Sequence, residues 1–548
     1  MTLYTQIAPA TVLWPEPIES TWQCLPSGRS TSLAPKLPHL SLADVFFIGA
    51  VMAIPSHRRP WGAVTWLADV FSLSRVSVYA LRDRLQERLL GTTQPAALLA
   101  APTESDSGHT VTVTSNRLAR TVLAATFPGN VSIRPLQVIM HEAFDQQRSV
   151  GWISQLRLLV GRRAGEKLRQ IDTSSLRSVV VLRDETFFQG YPILLVVDPV
   201  STTILFAQVC SDRQADTWGV ALLMAQERGA VITGLVEDMA RFYAKSQQLA
   251  DMEQVAVHKD SWHLEREGGR VRLFLEKAAY RAMGQVIQLE KRLAKAWDDT
   301  LFEQHYLPAL LQEEQAITHH DAFAVGLGHL CDAFELVDWR SGEIRDPATA
   351  TWLLEETLTA LASIDQPRVQ GFVKTLRNHR QQLLTSLTWL EAAMSGFRQA
   401  VAEHLPDLED QKRFERTVAR HWRLQQALIN GHRLLRSQAA QAEADLNSLI
   451  AGDATSARLA ACLLQILDNT TRTSSLIECI NGLLKSFLNN RQSFHDQETM
   501  QAYLDLFVLW HNMRPYQRGK RRGQSPYQIA GIDQGCNDWL ELLGYPAN

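Results

Sequence analysis

No apolar run in this chain reaches the ~18 residues that a membrane-crossing helix needs, so a membrane protein is not expected. Cysteine is scarce. Cys24, Cys210, Cys331, Cys462, Cys479 and Cys536 stand far apart, and none belongs to a CxxC pair. That spacing excludes a zinc ribbon and a disulfide framework, and a reduced cytoplasmic setting is expected. The first twenty residues, MTLYTQIAPATVLWPEPIES, have no basic stretch leading into an apolar one, so no secretory leader is expected. No internal repeat of fixed period is present. What is present is an ordinary globular composition, 45% hydrophobic and 21% charged over 548 residues. At roughly 150 residues per domain that length suggests three to four domains.

The net charge of −3 hides an asymmetry. Residues 1–183 carry 19 Lys+Arg against 12 Asp+Glu, a balance of +7; the remainder carries 36 against 46, a balance of −10. A basic N-terminal third joined to an acidic remainder suits a nucleic-acid-contacting part attached to something else, although scattered charge would give the same count.

Residues 1–40 are rich in Pro, Ser and Thr and read as a loosely ordered lead. Residues 41–110 hold a helical segment and a linker. Within WGAVTWLADVFSLSRVSVYALRDRL, Val64, Leu67 and Ala68 give one apolar face, Phe71-Ser72-Leu73 a turn, and Ser74 the cap of a second helix. Val76, Val78 and Leu81 point inward there, leaving Arg75, Ser77, Tyr79 and Arg82 outward. Guanidinium and hydroxyl groups on one helix face are what phosphates and base edges require, so a helix-turn-helix is expected; an ordinary helical hairpin is the alternative. Residues 111–177 form a second helical unit. SVGWISQLRLLVGRRAGEKLRQI reads as two short helices about a glycine turn, with Arg157, Arg162, Arg163 and Lys167 exposed. It is either another DNA-binding module or a packing subdomain.

At Ser178 the periodicity changes. SVVVLRDETFF is a β-branched run ending in acids, and YPILLVVDPVSTTILFAQVC reads as two strands about a turn. DTWGVALLMAQERG is a helix, VITGLVE a fourth strand, and QVAVHKDSWH a short strand running into a helix. Residues 178–269 are therefore α/β. Residues 270–465 are almost wholly helical, and 466–548 hold two more helices and a basic tail.

Two acids end apolar runs, Asp184 after SVVVLR and Asp238 after VITGLVE. A carboxylate beside a buried strand is tolerable if it shares a metal ion. Adjacent strands would bring both to one edge of the sheet, and Glu478 in TSSLIECIN is the best third acid. Oxygen ligands select Mg²⁺, or Mn²⁺ in its place. Two such ions can clamp the attacking and leaving oxygens of a phosphodiester. Asp198 and Glu185 rival Asp184, and Glu237, whose side chain would face the other way, rivals Asp238. Glu478 could instead be a surface acid, and His263 a structural histidine.

Asp184, Asp238 and Glu478, in this order of strands and helix, resemble the catalytic triad of the DDE transposase and retroviral integrase superfamily. Asp260-Ser261-Trp262-His263 is similar to the DxxH signature of the branch whose core is interrupted by a helical insertion, and Asp238 and Glu478 stand 240 positions apart across a mostly helical stretch. Glu478 and Asn481 as ExxN, followed by Lys485 and Arg491, look like the last catalytic helix of bacterial insertion-sequence transposases; so does the His-Asn-x-Arg-Pro element before the basic Ser-Pro segment. The resemblance covers about 178–535. It implies an RNase H-like core, interrupted by a large all-α insertion and preceded by helix-turn-helix DNA-binding domains. It also implies that Asp260, His263 and Asn481 buttress the site or touch DNA.

The function expected is a transposase that cuts transposon ends and joins their 3′-hydroxyls to target DNA using two Mg²⁺ ions. A non-cutting descendant that only binds DNA, and an RNase H-like nuclease or resolvase without strand transfer, are the alternatives. Transposon-end and target DNA are the partners expected, with a homodimer or larger oligomer, no membrane, and a bacterial nucleoid-associated location. Arg514, Arg518, Lys520, Arg521 and Arg522 are expected to follow the DNA backbone. Trp339, beside Arg340, is an exposed aromatic that could stack on a flipped base, though a packing role fits it better.

Overall fold

In the computed structural model the described residues are 40, 42–53, 63–75, 77–82, 112–491 and 493–547. They fall into two compact units that divide between residues 111 and 112.

The first unit is a small helical cluster. Helices α1 (Leu42–Ala53), α2 (Ala63–Val70) and α3 (described at 75 and 77–82) bury Ile48, Met52, Leu67, Val78 and Leu81 against one another. The turn between α2 and α3 is held by Leu73 N donating to Ala68 O at 2.8 Å, with Ser72 in the left-handed region at φ 51°. Ser74 caps α3 by accepting from Ser77 N at 3.0 Å. The lead at 1–39, Val76 and the linker expected before residue 111 lie outside the described residues.

The second unit is mixed α/β and mostly helical. It opens with α4 (Ser115–Thr126), α5 (Ile133–Phe144) and α6 (Val150–Gln170). The expected glycine turn in α6 is absent. Its 21 residues form one helix, because Gly161 serves close approach rather than bending. A Cβ at 161 would overlap the backbone carbonyl of Ala502, and one at 165 the carboxyl of Asp505. These helices share a small cluster of their own, Leu118, Val122, Leu136, Met140 and Ile153, and also reach the core of the sheet, to which Leu123, Phe127, Val160 and Ala164 belong.

The sheet has five strands in the order β3-β2-β1-β4-β5: β1 (Val179–Phe188), β2 (Tyr191–Val197), β3 (Ile204–Val209), β4 (Ile232–Glu237) and β5 (Ala256–Lys259). β1 to β3 form an antiparallel meander; β4 pairs parallel with β1, and β5 parallel with β4. The central runs are apolar because both faces are covered. Helix α7 (Ala215–Gln226) connects β3 to β4, and α8 (Phe242–Leu249) connects β4 to β5.

At Asp260 the chain leaves the sheet. It passes through α9 (Ser261–Lys295), α10 (Leu307–Ala333), α11 (Pro347–Ala362), α12 (Pro367–Leu383), α13 (Thr385–His404), α14 (Leu408–Ile429), α15 (Arg436–Ile450) and α16 (Ala454–Asn469). Phe323, Leu376, Met394, Val418 and Leu463 are buried in a core of their own, distinct from that of the sheet. The two meet at Trp389 of α13, whose ring would lie 2.6 Å from a Cβ on Gly234 of β4. The chain returns as α17 (Ser475–Asn489), which packs on β1, and α18 (Gln497–Met513), which packs along α6 and β3.

Helix α18 also closes the edge of the sheet. Asn512 accepts from Ile204 N at 2.9 Å and donates to Ile204 O at 3.0 Å; Gln501 accepts from Val209 N at 2.8 Å. Side-chain amides thus replace the missing neighbour of β3, which would otherwise be an exposed edge. Among the described residues no helix is long and apolar enough to cross a membrane.

Candidate active site

Three strands carry pairs of charged residues: Arg183-Asp184 within β1, Glu237-Asp238 at the end of β4, and Lys259-Asp260 at the end of β5. Side chains alternate faces along a strand, so the first of each pair goes one way and the second the other. On the face toward α8, Glu237 accepts from Arg183 Nε at 2.5 Å and from Lys259 Nζ at 2.6 Å. Arg183 also donates to Ser246 Oγ at 2.8 Å and lies 4.1 Å over the ring of Tyr243. All three charged groups are buried and mutually satisfied. Nothing in the periodicity flagged this network; the signal was the charged dipeptide ending each apolar run.

The other face carries the acids. Leu182 of β1 is level with Val236 of the parallel strand β4, so two residues on Asp184 stands beside Asp238. Asp184 lies within β1 rather than at its end, as had been expected, because the strand runs on to Phe188 to pair with β2. Asp238 directly follows β4, and its carboxylate accepts from Ala240 N at 2.7 Å. From α17, Asn481 is buried and donates Nδ2 to Asp184 Oδ2 at 2.8 Å. Glu478 lies three residues earlier, exposed on the same helix. Burial, then the charges of Glu478, Glu185 and Asp238, push the Asp184 carboxyl up to about 7.

Asp260 caps α9, accepting from Trp262 N at 2.8 Å, from His263 Nδ1 at 2.7 Å and from Ser474 Oγ. Against the cost of burial, the bonds from His263 and Ser474 hold its carboxyl below the usual range. The bond to Asp260 raises His263, and the charges of Asp238 and Asp184 raise it further. Beside it a cavity of about 520 Å³ opens between sheet and insertion, lined by Asp238, His263, Arg270, Arg368 and Phe372.

The rival acids are otherwise engaged. Glu185 accepts from Arg213 and, at 2.9 Å, from Tyr243 Oη. Asp198 is a turn residue, accepting from Ser201 N at 2.9 Å in the β2–β3 connection.

The donors facing one another are oxygens, the set that suits Mg²⁺ or Mn²⁺. Asn481 Oδ1 is buried without a hydrogen-bond partner. Asp184 also stands among the charges of Glu478, Glu185 and Asp238. Both observations fit a divalent cation held by Asp184, Asp238 and Glu478. As the side chains stand, no group of three His, Cys, Asp or Glu among the described residues is arranged to hold one ion. The side chain of Glu478 is exposed.

The basic residues are less uniform than their sequence suggested. In the first unit Arg75 and Tyr79 are exposed, Ser77 is half-buried, and the Arg82 guanidinium lies 5.3 Å over the Tyr79 ring. Arg157 is not exposed. It is buried and donates to Thr126 Oγ1 at 2.9 Å, and burial pushes its guanidinium down to about 9. Arg162 pairs with Glu498 at 2.8 Å, and Arg163 donates to Leu543 O at 2.7 Å. Lys485 is exposed, whereas Arg491 is half-buried with its guanidinium 4.3 Å over the Tyr503 ring.

The basic segment after α18 is a folded loop, not a tail. Arg514 lies 4.4 Å over Trp510, Lys520 pairs with Asp468 at 2.8 Å, and Arg521 donates to Val200 O at 2.6 Å. Arg518 and Arg522 are exposed. Trp339 lies 5.1 Å under Arg423 in a hairpin closed by the Val337–Ile344 bridge, and Arg340 N donates to Asp338 at 3.0 Å.

No family model matches the chain, and no curated protein does. Among solved structures it is similar to the Drosophila P element transposase strand transfer complex, at 11% identity over 55% of this chain and 87% of that chain, with a TM-score of 0.28. A likeness that slight supports no assignment.

Proposed function

We propose that the chain is a DNA transposase of the DDE type, with an RNase H-like core and a helix-turn-helix at residues 63–82. The observation that carries this is the level placement of Asp184 and Asp238 on adjacent parallel strands, with Asn481 of the Glu478 helix bonded to Asp184. Carboxylates crowded on one side of a sheet, while every neighbouring charge on the other side is neutralised, make a site built for cations. Two bound Mg²⁺ ions would supply Lewis-acid activation of water or a 3′-hydroxyl and neutralise the leaving oxygen.

The chain's own groups do the rest. Asn481 fixes the rotamer of Asp184. Asp260 orients His263, whose other ring nitrogen can donate to a phosphate oxygen when the imidazole is protonated. Arg270 and Arg368, beside the cavity, offer guanidinium groups to the DNA backbone near the acids. Arg75, Ser77, Tyr79 and Arg82 form the end-recognition face. Lys485, Arg518 and Arg522 supply sequence-independent contacts.

The test uses DNA flanking the gene, with any inverted repeats found there, as substrate with Mg²⁺ or Mn²⁺. Wild-type protein should nick at the repeat boundary and join a labelled pre-cut end to a second duplex; Asp184→Asn, Asp238→Asn and Glu478→Gln should each bind without cutting. Cleavage without joining would make the chain a hydrolytic nuclease. Binding without cleavage by the wild type would leave a DNA-binding protein.

A further inference from the structure

Helix α14 of the insertion carries arginine along one face. Arg413, Arg416, Arg420 and Arg423 stand at i, i+3, i+7 and i+10, so they share a stripe along about 15 Å of helix. Phe414, Val418 and Trp422 bury the opposite side. The first turn is acidic, as the helix dipole favours, and there Glu409 pairs with Lys412 at 3.0 Å. Beyond it the stripe is not neutralised, although the chain after residue 183 has 36 Lys+Arg against 46 Asp+Glu. Glu343 pairs with Arg416 at 2.5 Å and Glu335 with Arg423 at 2.9 Å, but Glu335 is shared with Arg472 at 2.8 Å. Arg413, Arg420 and Arg340 of the neighbouring hairpin are exposed and enter no ion pair among the described residues. The guanidinium groups of six arginines thus meet two carboxylates. The hairpin also props the stripe. A Cβ on Gly342, at φ 73°, would lie 3.0 Å from Cβ of Arg420 and 3.5 Å from Cγ of Arg416.

We propose that this stripe binds the phosphate backbone of duplex DNA held at the site. A guanidinium fork meets a phosphate through two parallel hydrogen bonds, which a lysine cannot do. Four arginines over about 15 Å can follow several phosphates of one strand. The stripe also begins beside the acids' own framework. Arg472, which shares Glu335 with Arg423, precedes by two residues Ser474, the donor to Asp260. Ser474 in turn accepts from Glu478 N at 3.2 Å, at the start of α17. On another side of α14, Trp422 Nε1 donates to Asp468 at 3.0 Å, and Lys520 pairs with the same carboxylate. The basic loop with Arg518 and Arg522 therefore joins the same helix. The inference rests on the transposase reading only for the choice of DNA as partner.

Anisotropy of a short labelled duplex of arbitrary sequence tests it, with the full chain, in EDTA, over a range of salt. Arg413→Gln with Arg420→Gln should weaken binding by about tenfold or more and flatten the salt dependence by roughly two contacts. Both positions are exposed and unpaired, so the melting temperature should not change. Lys291→Gln with Arg292→Gln removes the same charge from exposed positions on α9 and should leave affinity and salt slope as in the wild type. Unchanged binding by the α14 variant, or equal losses from both pairs, would overturn the surface. So would a loss seen on duplex RNA and not on DNA. Cutting plays no part in this measurement. A chain that never cuts yet loses DNA with the α14 arginines keeps this inference and sinks the transposase reading; a chain that cuts and binds normally without them does the reverse.

Discussion

Glu237 and Asp238 are neighbours in the chain and face opposite sides of the sheet. Glu237 is locked between Arg183 and Lys259, while Asp238 stands beside Asp184. Removing one partner of a buried ion pair strands the other charge, at a cost of about 3–5 kcal/mol. Glu237→Gln should therefore lower the melting temperature sharply and reduce soluble yield. Asp238→Asn should melt as the wild type does and lose only cleavage. If Glu237→Gln melts unchanged, the network does not hold the strand ends together.

Metal should act on stability through Asp184. Its carboxyl is crowded by burial and by Glu478, Glu185 and Asp238, so in EDTA Asp184→Asn should be at least as stable as the wild type. Mg²⁺ should raise the melting temperature of the wild type but not of Asp184→Asn, since a ligand that binds only the folded form stabilises it. Equal Mg²⁺ stabilisation of both proteins would remove Asp184 from the cation site.

Asp505 on α18 gives a pH signature away from the site. Burial pushes its carboxyl up to about 6, against the bond from Gln501 and the charge of Arg169. A raised acid binds its proton more tightly when folded. Stability is therefore lost as pH climbs from the unfolded value of 3.8 to about 6, and is level above that. At about 1.36 kcal/mol per unit, Asp505→Asn should gain roughly 2–3 kcal/mol at pH 7.5 and nothing at pH 3.5. Denaturant titrations at the two pH values measure the difference, and a gain equal at both would refute the cause.

Gly161 and Gly396 separate two uses of glycine within helices. Gly161→Ala must push α6 away from the backbone of Ala502. It should cost about 1–3 kcal/mol as overpacking, despite the better helix former. Gly396→Ala, in α13 with nothing within 4 Å of its Cβ, should gain about 0.5–1 kcal/mol. Thermal melts that rank the two in the opposite order would contradict the packing of α6 on α18.

Much of the architecture is legible in the sequence, because β-branched runs broken by turns and long amphipathic stretches differ in period. The strands around Asp184 and Asp238 and the helical block after Asp260 are of that kind. What periodicity cannot read is the reason for a residue when that reason lies far along the chain. Gly161 looked like a turn because the backbone that requires it is at Ala502. Arg157 looked exposed because its acceptors, Thr126 and Val131, sit on a neighbouring helix and loop. The basic cluster after Pro515 looked like a solvated tail, yet Lys520 and Arg521 are anchored on Asp468 and Val200. The Arg183–Glu237–Lys259 network needed three strands to be aligned before its charges could be matched.

The bond between Asp260 and Ser474 joins the two residues that bracket the 213 residues numbered 261 to 473. A bond from His258 to the carbonyl of Arg472, at 2.9 Å, reinforces the junction. The guest fold thus hangs from the host by two chain segments that already touch. Length can be added to or trimmed from the far end of such a guest without moving the acids, so long as Trp389 keeps its place against Gly234 and Thr385 its bond to the carbonyl of Val257.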